Sequence, residues 1–471
     1  MVNLVMALAS CQEAQSPVEL SLSPVYQYQF SSISKALDCL CMDAESRIDL
    51  KREFQRLSMT YFDHSSADYF LLQTDTTPLC KAHSPTLPER TFVAIPNNAV
   101  PGNRPLSIGY DTSCINLCDP QSNWSLPLEL KRVALEETAS DCALTQLAEL
   151  LSHPDLPFDD KLVINTCDSN YGNAEYLSRA YQHSQVVHIV RLRAGMRIWD
   201  PYKGLQRSGR KRIYGEKYYL HRNSRHKSYR NRQTSQPQEV FQRSLFERPV
   251  DEHAKIDSQT AKGRRITIEL WRFNNMMMRS KTGYNMKDKL LDIIAVEVRD
   301  SDSGNLLFGR EMYIGLCGQR KEEISMPQAH HCYRQRFGIE HYLRFAKQRL
   351  LMQRYQTPDI EHLDNWLLIQ QITPWLLYAA SDESTRCLRK WEQYLPQHKT
   401  DPSTGRLSIS QTRRALQNLF LTLDLTPFKP LKSIKGKGRA TGTTFEPRKR
   451  YKRVKKVAHK RKSKTKTEQI E

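Results

Sequence analysis

No stretch of the 471-residue chain approaches the roughly 18 to 20 apolar residues that a membrane span needs, which excludes an integral membrane protein. The chain also lacks the dense, regular cysteine spacing of a secreted disulfide framework. Its eleven cysteines are scattered, which fits a reducing cytoplasm. Cys114 and Cys118 form a C-x3-C, and His330, His331 and Cys332 follow far downstream, but two tight ligand pairs are missing, so zinc is not expected. Near the start, Leu8-Ala9-Ser10-Cys11 imitates a lipoprotein cleavage box. No Lys or Arg precedes it and the apolar stretch is short, so a signal peptide is not expected either. No internal repeat is visible.

Negative charge is in deficit. The 51 Asp and Glu face 71 Lys and Arg, a net +20, and an excess of that size points to a polyanionic partner. From Lys429 to the end, seventeen basic residues stand against Glu446, Glu468 and Glu471, so this tail carries +14 of the total. Between Arg191 and Arg232 a further fourteen face only Asp200 and Glu216. Both stretches are candidates for phosphate contact, although a charge run can equally be a solvated surface.

What is present is a globular composition, 39% apolar and 26% charged, in a chain long enough for two to four domains. Residues 31 to 62 carry Ile33, Leu37, Leu40, Ile48, Leu50, Phe54 and Leu57 at roughly helical spacing, which predicts one or two helices. Three strand-like segments follow, Tyr69 to Thr76, Arg90 to Pro96 and Pro105 to Leu117, with short Pro, Asn and Gly connections that favour an antiparallel meander. A helix is expected from about Leu128 to Leu151, then the apolar strand Leu162 to Cys167 runs into Asp168. The order βββαβ opens an RNase H-like sheet.

A helix from Ala174 to Ser184 and a strand from Val186 to Leu192 lead into basic, Gly-punctuated, strand-rich sequence. There Ile266 to Trp271, Asp292 to Val298 and Leu306 to Leu316 read as strands, the last two joined by the turn Ser301 to Gly304. From Tyr333 the chain turns helical again, through Leu363 to Ala380 and Arg413 to Leu423. The expected fold is mixed α/β: an N-terminal helical region (1–65), an RNase H-like core in two parts (66–194 and 319–380) interrupted by a β-rich insertion (195–318), a C-terminal helical region (381–428), and a basic tail (429–471) with too little apolar content to pack.

One helix holds the most informative pattern. At about 100° per residue, Tyr333, Arg336, Glu340 and Lys347 fall on one face, so a carboxylate, two cations and a phenol share a stripe. Such a face suits a phosphodiester, with the carboxylate holding a metal ion and the cations contacting phosphate oxygens; it also suits a salt-bridged solvent face.

The spacing Tyr-x2-Arg-x3-Glu-x6-Lys resembles the signature of one branch of the DDE insertion-sequence transposases, and the resemblance runs from about Asp75 to Lys347. It implies a first catalytic Asp at the end of the first core strand, Asp75 in Leu71-Leu72-Gln73-Thr74-Asp75, and a second after a buried strand and before an aromatic-Gly pair, Asp168 with Tyr171-Gly172. Glu340 is then the third carboxylate. By this resemblance the three hold two Mg²⁺ or Mn²⁺ ions, Tyr333, Arg336 and Lys347 position a DNA end, and Trp271 in the β insertion stacks on a flipped base. Individually, Asp75 could start a turn, Asp168 could cap a helix, and Trp271 could be a core residue. Asp111 rivals Asp75 but lies on the third strand, whereas the first strand runs beside the Asp168 strand in an RNase H-like sheet. Asp159 and Asp160 precede their strand and read as loop residues. Met276, Met277 and Met278 read as adaptable packing, and Gly209 to Gly215 as a basic loop that tracks phosphates or is merely exposed.

The expectation is therefore a DNA transposase that acts by metal-dependent cleavage and strand transfer on double-stranded DNA, as a DNA-bridged homodimer, in the prokaryotic cytoplasm at the nucleoid. The alternatives are an RNase H-like nuclease or resolvase that cuts without joining, and a non-catalytic DNA-binding derivative.

Overall fold

A computed structural model describes residues 1–454 apart from 41–42, 63–67, 96–104, 120–121, 123, 160, 205–211, 231–235, 261, 281–285, 310, 392–405, 424–440, 443 and 445–446. Asp160, the first part of the Gly209 to Gly215 loop, and most of the basic tail lie outside the described residues.

Four helices open the chain: α1 (Val2–Ser10), α2 (Pro17–Leu20), α3 (Ser31–Asp38) and α4 (Ala44–Thr60). The last two answer to the periodicity of residues 31 to 62. The first was not expected, and it forms because Leu4 and Leu8 pack with Leu20, Leu37 and Trp366 in one apolar cluster, which also buries the Leu8-Ala9-Ser10 segment. Asp43 starts α4 by accepting from the Ser46 amide at 2.7 Å.

The core follows as β1 (Tyr69–Cys80), β2 (Thr91–Ala94), β3 (Leu106–Cys118), β4 (Ser125–Arg132), α5 (Ala139–Leu151), β5 (Leu162–Cys167), α6 (Ala174–Ala180) and β6 (Val186–Leu192). β1 is antiparallel to β3 on one side and parallel to β5 on the other, and β5 is parallel to β6. Both β2 and β4 pair with β3. Here the structure corrects the helix expected from Leu128: residues Ser125–Arg132 are a strand, and the helix begins only at Ala139. Leu126, Leu128 and Leu130 recur with period two, and Pro127 would break a helix interior but is tolerated on a strand that pairs with β3 alone among the described residues. The true helix start carries a capping box, Thr138 with Asp141. Antiparallel strands on one side of β1 and two parallel strands on the other make an RNase H-like sheet.

The basic segment supplies two small pairs, β7 (Arg197–Pro201) with β8 (Tyr214–Tyr219) and β9 (Arg225–Arg230) with β10 (Pro237–Gln242). Then β11 (Glu252–Gln259), β12 (Arg265–Met276), β13 (Leu291–Asp300) and β14 (Met312–Cys317) continue the core sheet, with β14 antiparallel to β6. The ten-stranded order is β11-β12-β13-β14-β6-β5-β1-β3-β2, with β4 beside β3. Met276, Met277 and Met278 are buried, two of them in the cluster formed with Tyr171, Leu177 and Phe273.

Four further helices close the fold: α7 (Met326–Gln335), α8 (Phe337–Gln348), α9 (Ile360–Ala380) and α10 (Ile409–Thr422). What the stripe of Tyr333 to Lys347 presents as one helix is two, joined at Arg336. No helix among the described residues is long and apolar enough to cross a membrane. Of the tail, which composition alone leaves unpacked, Tyr451 and Val454 lie against the core: the Tyr451 amide donates to the Pro85 carbonyl at 2.9 Å and the Val454 amide to that of Arg90 at 2.8 Å.

Candidate active site

Strand register brings the two aspartates side by side. In the parallel pairing of β1 with β5, Thr74 lies opposite Cys167, so Asp75 and Asp168 are the next residues along two adjacent strands. Asp111 lies on β3, opposite Pro78, with β1 between it and β5. Asp168 does not cap α6; Asn173 does, accepting from the Tyr176 amide at 3.0 Å. Instead Asp168 accepts from the Asn170 backbone amide at 2.8 Å and its side-chain amide at 3.1 Å, while Arg193 donates to Asn170 Oδ1 at 2.8 Å.

The third carboxylate reaches this pair through a cation. Arg336, at the α7–α8 joint, donates from Nη1 to Asp75 Oδ2 at 3.1 Å and from Nη2 to Glu340 Oε1. Burial pushes the Asp75 carboxyl up to about 6, the Asp168 charge adds to this, Arg336 opposes it, and Glu340 raises it further. Burial alone would weaken the charge of Arg336, yet Tyr333, Asp75 and Glu340 hold it firmly protonated. Its Nε is buried without a hydrogen-bond partner. Among the described residues no three His, Cys, Asp or Glu side chains converge closely enough to hold an ion, since the guanidinium stands between Asp75 and Glu340. The donor set is nonetheless all oxygen, as Mg²⁺ or Mn²⁺ prefers, and three mutually repelling carboxylates around one counter-cation favour a further positive charge.

Of the rest of the stripe, Lys347 turns toward β1 and Tyr333 into the core. Lys347 donates to Thr77 Oγ1, and burial lowers its pKa. Tyr333 is only 3% exposed, packed with Cys332, Ile314 and Leu316, and its ring lies 6.0 Å from the Arg336 guanidinium. It therefore meets this site through Arg336. Trp271 is 8% exposed on β12 and belongs to the core cluster of Phe273 and Met276. His253 stacks on it at 5.4 Å, Phe246 meets it edge-on at 5.5 Å, and Arg222 covers it at 4.5 Å.

Several residues that the sequence did not single out hold α8 in register. Gln73 on β1 donates to the Gln335 carbonyl at 2.6 Å and accepts from Ser125 Oγ at 2.6 Å, which in turn accepts from Asn116 at 2.8 Å. The contact is close because of Gly338: a Cβ there would lie 3.0 Å from Gln73 Nε2 and 3.1 Å from the Ser125 Cβ. A glycine inside a helical pattern was the available signal. Beneath the aspartates, Thr74 donates to Asn165 at 2.8 Å, tying β1 to β5. Cys114 bonds Asn116 at 2.8 Å and Cys332 lies 3.6 Å from the Tyr69 hydroxyl, so these thiols serve the interior.

Two family models match the chain. Residues 1–246 match the DDE superfamily endonuclease model and residues 125–372 the transposase DDE domain model, each just over half of the sequence. The first span contains Asp75 and Asp168, the second Asp168 and Glu340. No curated protein matches. From its RNase H-like sheet and these two matches, the chain belongs to the DDE superfamily of transposases and endonucleases.

Proposed function

We propose that this protein is an insertion-sequence transposase of the branch carrying Tyr-x2-Arg-x3-Glu-x6-Lys, which cuts double-stranded DNA and joins the freed 3′ end to a target. The observation that carries the reading is the Arg336 bridge between Asp75 and Glu340 beside Asp168, on a chain with an RNase H-like sheet. Asp75, Asp168 and Glu340 would hold two Mg²⁺ or Mn²⁺ ions, which activate the attacking water or 3′-hydroxyl and stabilise the leaving oxygen. Arg336 and Lys347 position phosphate oxygens, and Tyr333 positions Arg336, its ring 6.0 Å from the guanidinium. Residues 66–194 and 319–380 form the catalytic core in this reading, 195–318 its insertion, and the protein works as a homodimer that brings two ends together.

Glu340→Gln tests the assignment: cleavage is abolished while DNA binding is largely kept, and cleavage at the wild-type rate overturns it. Incubating a 3′-hydroxyl-terminated end with target plasmid and Mg²⁺ tests joining. Strand-transfer product is expected; cleavage without it identifies a nuclease.

A further inference from the structure

The exposed segment Arg448-Lys449-Arg450-Tyr451-Lys452-Arg453 has five cations in six residues, and none makes an ion pair among the described residues. It is nevertheless docked. Besides the two backbone bonds to Pro85 and Arg90, the buried Arg90 guanidinium donates to the Tyr451 carbonyl at 3.2 Å while also holding the carbonyls of Leu87 and Lys81 at 3.2 and 3.1 Å. Arg453 lies 4.5 Å from the ring centre of Phe92 on β2, so the C-terminal half of the segment is fixed to the β1–β2 loop and to β2.

This position continues the active site. Lys347, which reaches Thr77 two residues beyond Asp75, also lines a hollow with Cys80, Arg349, Arg354 and Gln356. Gln356 also lines a second hollow, together with Arg448, Lys449 and Tyr451. Arg349 and Arg354 are exposed and make no ion pair among the described residues. The turn that presents them is held by the Arg349 carbonyl, which accepts from buried Arg413 at 3.0 Å, and by Leu351 with φ of 62°. Among the described residues Asp359 is the one carboxylate lining the second hollow, and it accepts from the Glu361 amide at 2.8 Å.

We propose that residues 448–453 are a docked basic strap that extends the active site. The sugar-phosphate backbone of the cleaved DNA then runs from Lys347 past Arg349 and Arg354 to Arg448 and Lys449. The inference rests on the transposase reading for its ligand, and it goes beyond charge composition by naming the part of the tail that is fixed and where it leads. Unpaired cations in a row along polar hollows are what a phosphate backbone requires, because each neutralised phosphate releases counterions.

The test uses the full chain and a 30-base-pair duplex of arbitrary sequence, with affinity measured by fluorescence anisotropy over a range of KCl concentrations. The variant Arg448→Gln, Lys449→Gln, Arg450→Gln, Lys452→Gln, Arg453→Gln lowers the slope of log affinity against log salt by about three to four, from roughly 0.9 per phosphate contact. A change of less than about one overturns the proposal. In the wild-type protein, acetylation of Lys449 and Lys452 is suppressed by the duplex; equal labelling with and without DNA overturns it without recourse to a variant. Cleavage by Glu340→Gln at the wild-type rate, in contrast, sinks the catalytic reading and leaves the strap measurement standing, so the two failures are distinguishable.

Discussion

Arg336 holds Asp75 at 3.1 Å with one nitrogen and Glu340 with the other, so a single guanidinium spans a strand residue and a helix residue 265 positions apart in the chain. It serves as the counter-charge of the carboxylate group. Arg336→Ala is expected to raise the Asp75 pKa above about 6, because burial and Asp168 are then opposed only by the Thr76 amide, which donates to Asp75 at 2.8 Å. The acidic limb of the cleavage pH profile moves to higher pH, and activity at pH 7 falls at least tenfold, on the usual scale for a lost phosphate or carboxylate contact. An unshifted limb would show that Asp75 does not titrate in the reaction.

Asp75 also sets a pH dependence of stability. Folding raises its carboxyl from 3.8 to about 6, so the folded chain holds that proton more tightly than the unfolded chain. The favourable contribution is complete below about pH 3.8 and is lost as pH rises through 6, leaving a net cost at neutral pH. Asp75→Asn therefore stabilises the metal-free protein by on the order of 2 kcal/mol at pH 7.5 and by nothing at pH 3.5, while ending cleavage. Urea titrations at the two pH values measure the difference; equal effects at both would remove the buried, ionised Asp75.

At Gly338 the usual rule for helices reverses. Ala in place of a helical Gly, here the second residue of α8, normally adds up to about 1 kcal/mol. Here the new methyl group would meet Gln73 at 3.0 Å and Ser125 at 3.1 Å, so Gly338→Ala lowers stability by about 1 to 3 kcal/mol and shifts Glu340 away from the strand ends. Thermal melts and cleavage rates both fall. A melting point above wild type would mean that the helix has room to move.

Trp271 separates packing from base recognition. With 8% of its surface exposed and His253, Phe246 and Arg222 around it, Trp271→Ala removes a core side chain and costs about 3 to 5 kcal/mol. Loss of strand opening at the DNA end with unchanged chemical stability would instead assign it to a flipped base.

How much of this the sequence displayed depends on the kind of signal. The grouping of Arg336, Glu340 and Lys347 was legible from their helical spacing, and Arg336 and Lys347 do reach β1, whereas Tyr333 lies on the preceding helix and in the core. Asp168 was legible from the wholly buried strand before it, and the choice of Asp75 over Asp111 from the neighbour each strand must have in an RNase H-like sheet. β4 was misread because Leu, Glu and Lys are good helix formers, while its strand identity depends on pairing with β3. Gln73, Asn116 and Ser125 carry no local pattern at all; their roles exist only where β1, β3, β4 and α8 meet. The docked strap was hidden for the same reason, since its partners, Pro85 and Arg90, lie more than 360 residues earlier.

The unbroken hydrogen bonding from β1 through β5, β6, β14 and β13 to β12 fixes an orientation as well as a distance. Each neighbour in such a sheet is rotated by about 20 to 25°, so five steps turn β12 through roughly 100 to 125° relative to β1. Strands β12, β13 and β14 are therefore part of the same hydrogen-bonded sheet that carries Asp75 on β1, and no break in pairing separates them from it. Under the transposase reading, DNA held at β12 and at the carboxylates would meet one continuous sheet rather than two hinged parts.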